Sequence, residues 1–225
     1  MGKVNIMTRI YQWLRRLTSP HEERNEYSAG YWQGKVRKMT LTLCQNLNGR
    51  ILEVGCGEGL FLSQLIKQNS ELEIWGIDDN ATRLSQAEKK IEENNFRKVN
   101  LSLQNATSLS FENEYFDTVI CINVFFNMPS FESVKESLTE IRRVCKKSGR
   151  IIFDFRNALN PLIILKYKLA RYYDATVKGL PLKAYNLKQI EPVLNNLNLV
   201  VIRKRFIGFP GNRLSPIIIL EAQKR

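Results

Sequence analysis

The chain has 225 residues, with 34 Lys/Arg against 22 Asp/Glu, a formal net charge of +12, and 44% apolar and 10% aromatic side chains. That is the composition of one globular domain, and it excludes collagen-like, low-complexity and wholly disordered chains. No apolar run approaches the ~20 residues that cross a bilayer, and Arg9, Arg15 and Arg16 interrupt any signal-peptide core, so a cytoplasmic protein is expected.

The elements alternate from residue 51 onward. Ile51–Val54 reads as a short strand running into Gly55-Cys-Gly57-Glu-Gly59, and a helix follows with Leu60, Phe61, Leu65 and Ile66 on one side. Leu72–Ile77 is a second strand ending at Asp78-Asp79-Asn80, and Ala81–Asn94 a polar helix with Leu84, Ala87 and Ile91 at helical spacing. Val99–Leu103 and Phe116–Ile122 are the third and fourth strands, the latter almost continuously apolar, as a strand buried on both faces should be. Phe131–Lys147 is predicted helical, Ser148-Gly149 a stop, and Arg150–Phe155 a fifth strand. Strand–helix alternation of this kind predicts an α/β fold with a parallel sheet.

After Phe155 the pattern changes. Residues 156–188 hold seven Lys/Arg against one acid, with Tyr167, Tyr172, Tyr173 and Tyr185. A helix over Leu187–Leu197 leads to strands Leu199–Ile207 and Ile217–Glu221. The loop between them is too short for a parallel crossover, so they form an antiparallel hairpin at one edge.

Charge is unevenly spread: residues 1–50 carry +6, residues 51–148 carry −4 and residues 149–225 carry +10. A basic rim around a mildly acidic centre fits an anionic substrate or supporting surface. Cys44, Cys56, Cys121 and Cys145 show no CxxC spacing and His21 is the single histidine, so neither a metal site nor a Ser-His-Asp or Cys-His mechanism is expected.

The glycine cluster sits where a strand turns into a helix, a place where backbone comes close to a ligand and helix N–H groups lie open. The dinucleotide pattern G-x-G-x-x-G would need glycine at position 60, which is Leu60; here the spacing is G-x-G-x-G with Glu53 two residues ahead. On these residues the chain resembles the class I S-adenosylmethionine-dependent methyltransferases, whose first motif is typically E-x-G-x-G-x-G. The resemblance extends in order through Asp78, Asn105-Ala106 and the terminal hairpin, over roughly residues 28–222. It implies a Rossmann-like seven-stranded sheet with helices on both faces, S-adenosylmethionine as cofactor, and a chain divided into an N-terminal helical or amphipathic lid (1–48) and a methyltransferase domain (49–225) interrupted by the basic insert.

By the same resemblance, Gly55, Cys56, Gly57 and Gly59 cradle the cofactor, Asp78 grips its ribose, and Asn105 and Ala106 lie beside the adenine. Asn105 stands where relatives usually carry Asp; its amide offers both a donor and an acceptor. Asp79 either joins Asp78 or caps the following helix. Glu53 either faces the cofactor's amine or is a strand-end carboxylate satisfied by backbone, and Asn123 approaches the sulfonium end through its backbone.

Relatives often carry histidines after the fourth strand; here Phe125-Phe126 makes an apolar pocket wall and removes the obvious base. His21 is the remaining candidate base if the N-terminal segment folds over the site. Tyr31, within Ser28-Ala-Gly-Tyr-Trp32, either closes over the cofactor or packs a helix onto the core. Ile6, Ile10, Trp13, Leu14 and Leu17 share one helical face flanked by Arg9 and Arg16, which suits either peripheral contact with a membrane's inner face or packing over the pocket. The 156–188 segment is either a lid or a solvated insert. The expected reaction is methyl transfer to a small or lipid-linked, anionic acceptor, at oxygen. An RNA methyltransferase and an inactive cofactor-binding scaffold are the alternatives.

Overall fold

The computed structural model describes residues 28–174 and 179–224, preceded by Arg9, Ile10, Gln12, Trp13, Leu17, Glu23 and Glu26. Seven strands form one sheet in the order β3-β2-β1-β4-β5-β7-β6. They are β1 (Arg50–Val54), β2 (Glu73–Asp78), β3 (Val99–Leu103), β4 (Phe116–Cys121), β5 (Cys145–Arg156), β6 (Leu199–Ile207) and β7 (Ile217–Lys224). The first five run parallel, and β7 enters antiparallel between β5 and β6. This is the five-plus-hairpin order expected from the sequence.

Side chains alternate across the central strands, so the core divides into two layers. Ile51, Ile74, Ile120 and Ile152 face one side, covered by α1 (Tyr31–Leu43), α2 (Leu60–Gln68) and Leu84 of α3 (Ala81–Glu93). Leu52, Val54, Val119 and Phe153 face the other, covered by α4 (Phe131–Val144) and α6 (Leu187–Asn196). Helix starts are written locally: Asn80, Ser130 and Asn186 each accept the N–H three residues on, and Asn186 with Gln189 completes a capping box.

The helix expected to reach Lys147 stops at Val144, because Tyr115 N–H donates to Val144 C=O at 2.9 Å and draws the next residue into β5. Cys145 pairs with Phe116, and the register then slips before Thr118 pairs with Arg150. Gly149 permits that slip: a Cβ there would lie 2.9 Å from the Asp117 carbonyl oxygen.

The insert contains α5 (Pro161–Tyr173), capped by Asn160 with Pro161 in its first turn. Its ends are fastened to the sheet by a bridge between Asn157 and Tyr185 and by the Lys183 N–H to Phe126 C=O bond, 2.7 Å. The insert is therefore held across the ends of β4 and β5.

Candidate active site

The C-terminal ends of β1, β2 and β4 open into a cavity of about 550 Å³. Its floor is the glycine turn. Gly55 N–H and Cys56 N–H both donate to Ile77 C=O at 2.8 Å, which sews the turn to β2. Gly55 and Gly57 have φ of 77° and 54°, a region costly for any residue with a Cβ. Their reasons differ: a Cβ on Gly55 would come within 2.3 Å of Val124 Cγ2, whereas one on Gly57 would meet only open space. Gly59 does not line the cavity. It is the N-cap of α2, which no side chain caps.

Asp78 braces the turn, its Oδ2 accepting Gly57 N–H at 2.8 Å and its Oδ1 accepting Asn80 N–H at 3.0 Å. Burial raises its pKa against those two bonds. Asp79 also borders the cavity, and the cap of α3 is Asn80 rather than Asp79. Glu53 is 3% exposed, and among the described residues its Oε2 has no hydrogen-bond partner. Burial pushes its carboxyl well above the usual range, with the Arg37 guanidinium pulling the other way. Cys56 lines the same wall, its thiol raised by burial.

Asn105 and Ala106 form the far side of this end. The Asn105 Oδ1 accepts both Thr107 N–H (2.9 Å) and Thr107 Oγ1 (2.8 Å). Its acceptor is thus consumed locally, and only the NH2 donor is left to address a ligand, half of what the sequence offered.

Glu58 carries a role that sequence reasoning missed. It is fully buried, and its Oε1 accepts Ser28 N–H and Ser28 Oγ, both at 2.7 Å, pinning the segment before α1 onto the glycine turn. Arg37 supports that segment through its buried pair with Glu23 (Nε–Oε1 2.8 Å) and a 3.5 Å contact to Ser28 C=O. Tyr31 follows, bordering the cavity with its ring edge-on to Trp32 at 5.0 Å. His21 lies outside the described residues.

The opposite end is built around Asn123, whose backbone sits at φ 61°. Asn123 N–H donates to Asp154 Oδ1, and its Oδ1 accepts Arg156 NH2 at 2.9 Å. Arg156 in turn pairs with Asp154 and stacks over the Phe126 ring, 4.4 Å from its centroid. Burial raises the Asp154 carboxyl while Arg156 opposes the shift. Tyr167 of α5 completes the cluster; burial pushes its phenol up to about 12, so it stays a donor through the neutral range. Of the Phe125-Phe126 pair, only Phe126 reaches the cavity; Phe125 is in the core, 5.6 Å from the Phe153 ring. Ile163, Lys166 and Ala170 of α5 roof this end.

An open α/β sheet with one reversed C-terminal strand, and a cavity fed by its first strand-to-helix turn, defines a nucleotide-type ligand site at the carboxyl ends of the strands. A methyltransferase-domain family model matches residues 45–195. The chain belongs to the class I S-adenosylmethionine-dependent methyltransferases, and S-adenosylmethionine is its cofactor. It is 31% identical over 150 residues to phosphatidylethanolamine N-methyltransferase of Cereibacter sphaeroides, covering 65% of this chain and 71% of that one. It is 27% identical over 146 residues to demethylmenaquinone methyltransferase of Bacillus subtilis, covering 64% and 61%. The chain thus spans less than two thirds of the latter relative. Magnesium protoporphyrin IX methyltransferase from Synechocystis PCC 6803, solved with bound SAH, shares the fold at TM-score 0.69 and 19% identity, over 97% of this chain and 95% of that one.

The residues present suit that cofactor. Two buried carboxylate oxygens, Glu53 Oε2 and Glu58 Oε2, lack partners among the described residues and lie in a cavity with open space above Gly57. A cationic, hydroxyl-bearing ligand supplies what they lack. Among the described residues, no group of three or more His, Cys, Asp or Glu is arranged to hold a metal ion, and no helix is long and apolar enough to cross a membrane.

Proposed function

We propose that the protein methylates an amphiphilic acceptor, of the small-molecule or lipid-linked kind, at an oxygen that arrives ionised or readily ionised. The observation that carries this is the single cavity joining the glycine turn and Asp78 to the aromatic compartment of Phe126, Tyr167 and Ile163. When bound, S-adenosylmethionine supplies a methyl carbon already activated by a sulfonium. Glu53 would hold the amino group, Asp78 and Asp79 the ribose hydroxyls, and Asn105 and Ala106 the base, while Gly55 to Gly57 admit close approach of backbone. Asp78 retains acceptor capacity for this, since each of its oxygens has used one lone pair on backbone.

At the other end this chain's residues have three tasks. Phe126, Met128 and Ile163 exclude water, and alignment within such a dry pocket lowers the barrier of an in-line transfer. The Arg156 guanidinium, fixed by Asp154 and Asn123, holds an acceptor oxygen and favours its anion. The Tyr167 phenol donates to that oxygen and does not take its proton, because its pKa is pushed to about 12. Phenols, enols and carboxylates need no strong base and meet these conditions. Both named relatives act, by their names, on a phospholipid and a quinone, which supports a lipid-type acceptor.

Labelled methyl transfer from S-adenosylmethionine to fractionated lipid extract, with RNA in a parallel reaction, tests the proposal. Label in an uncharged ether or ester overturns neither part, label in RNA overturns the acceptor class, and label in a quaternary or tertiary amine overturns the choice of oxygen. That last outcome is the second reading, favoured by Glu136 and Asp174 on the same cavity wall.

A further inference from the structure

Helix α5 has two working faces. Ile163, Lys166, Tyr167 and Ala170 turn toward the cavity. Leu162 (70% exposed), Leu165 (53%), Leu169 (45%) and Tyr172 (59%) turn outward. At 3.6 residues per turn those four positions fall within about 80° of arc, and Lys166 and Lys168 border the arc on either side. The helix lies against a second exposed apolar group. Asn157 Nδ2 donates to Arg213 C=O (2.9 Å) and Asn160 Nδ2 to Leu214 C=O (2.8 Å), which fixes the β6–β7 loop beside the start of α5. That loop carries Leu214 and Phe209, the latter 88% exposed, and its Gly208 sits close against the Trp32 ring on the cavity wall. An apolar ridge therefore runs from Phe209 through Leu214 and Leu159 to Leu162, Leu165 and Leu169, along the rim of the cavity that α5 roofs.

We infer that this ridge seats the protein on an anionic lipid bilayer, with α5 lying in the interface so that an acceptor passes from the lipid layer under its inner face into the cavity. Two features select a bilayer over a protein partner. The apolar arc is bordered on its outer side by the exposed Lys168, whose stem can lie along the acyl boundary while its ammonium group reaches the headgroups. The ridge also belongs to the part of the chain, residues 149–225, that carries +10, which attracts an anionic surface and would repel a second copy of itself. The inference rests on the reading that the acceptor is lipid-like.

Vesicle co-sedimentation of the full chain tests it without turnover. Vesicles of phosphatidylcholine with about a third phosphatidylglycerol should pellet the protein at least about tenfold more strongly than phosphatidylcholine alone, and less as salt rises. The triple variant Leu162→Ser, Leu165→Ser, Leu169→Ser should lose about tenfold or more of that binding. Leu103→Ser, an equally exposed leucine on β3, should lose none. S-adenosylhomocysteine titration should be unchanged in the triple variant; failure of the methyltransferase site would appear there and leave sedimentation untouched. Since the native cysteines are buried, Leu162→Cys labelled with an environment-sensitive fluorophore gives a second reading should the triple variant not fold. Its emission should move to the blue with anionic vesicles. Absence of vesicle binding, full binding by the triple variant, an unmoved emission, or a wild-type dimer broken by the triple variant would each overturn the inference.

Discussion

Glu53→Gln should stabilise the protein while weakening its hold on cofactor, two effects that a merely structural carboxylate would not combine. Glu53 stands at the end of β1 with one oxygen unpartnered, and burial raises its affinity for protons. A carboxyl raised in this way takes up a proton on folding. The stability it contributes is complete below the unfolded value of about 4.3 and is lost as pH climbs through the raised value. Glutamine copies the protonated form in shape and does not titrate. One unit of raised pKa corresponds to about 1.4 kcal/mol, so at about pH 8, where wild type must hold a buried charge or a proton, the variant should gain on the order of 1 kcal/mol, or ~2–4 °C in Tm for a chain of this size. At about pH 5 the two melting curves should converge. Cofactor affinity should fall by ~1.5–3 kcal/mol, the range for a charge-assisted hydrogen bond, which is ~10–150-fold in Kd. Thermal melts at both pH values and calorimetric titration with S-adenosylmethionine read both effects. Binding within about twofold of wild type would show that Glu53 faces no cationic group of the cofactor, and a melting difference independent of pH would show that its carboxyl gains no affinity for protons on folding.

The two inner glycines separate fold from ligand. Gly55→Ala forces a Cβ to within 2.3 Å of Val124 on top of ~1–2 kcal/mol of backbone strain, and should lower Tm more than Gly57→Ala, which adds strain alone. Gly57→Ala should instead cost more in cofactor titration than in the melt, since its methyl occupies cavity space. Asp78→Asn can accept only one of the Gly57 and Asn80 N–H groups, because its NH2 donates and does not accept, and it loses the charge; it should lower Tm and weaken cofactor by about tenfold or more, and unchanged affinity would mean that Asp78 serves the turn only. Arg156→Lys cannot hold Asp154 and Asn123 together across the Phe126 ring. It should lower kcat/KM for the acceptor by about tenfold or more with little change in cofactor Kd, and an equal loss in both would place Arg156 on the cofactor side.

That Gly55, Asp78, Asn105 and Asn123 gather on one cavity was legible because the fold writes them at strand ends. Each follows a recognisable strand, and parallel strands bring such positions to one edge of the sheet. Contacts that join residues far apart without periodicity were not legible. Ser28 and Glu58 are 30 residues apart, and no local rule links a serine ahead of α1 to a glutamate inside a glycine turn. Arg156 and Asp154 were hidden for another reason. Arg156 falls one residue beyond the strand expected over Arg150–Phe155, and the useful signal was that two charges cannot enter a buried strand unless they satisfy each other. The alternatives for the insert stayed open because α5 carries apolar residues on both of its long sides, Ile163 and Ala170 on the buried one and Leu162, Leu165 and Leu169 on the exposed one. A helix with leucine outward and isoleucine inward offers no single apolar stripe to report which way it points.

That ambiguity and the uneven charge have a common origin in the two ends of the cavity. The acids of residues 51–148 include Glu53, Glu58, Asp78 and Asp79, gathered around the glycine turn, and the excess of cations in residues 149–225 includes Arg156 and Lys166 at the other end. A net charge of +12 would equally suit a nucleic-acid track, which needs rows of cations addressed to phosphate. On the exposed strand β6, however, Arg203 is paired with Glu221 and Lys204 with Glu191. At the cavity, Arg156 is likewise paired, with Asp154, and stacks on the Phe126 ring, while Lys166 belongs to a helix with an exposed leucine face. A basic surface interleaved with exposed leucine matches an anionic headgroup above acyl chain more closely than it matches a phosphate backbone, and this is why the acceptor is sought among lipids before RNA.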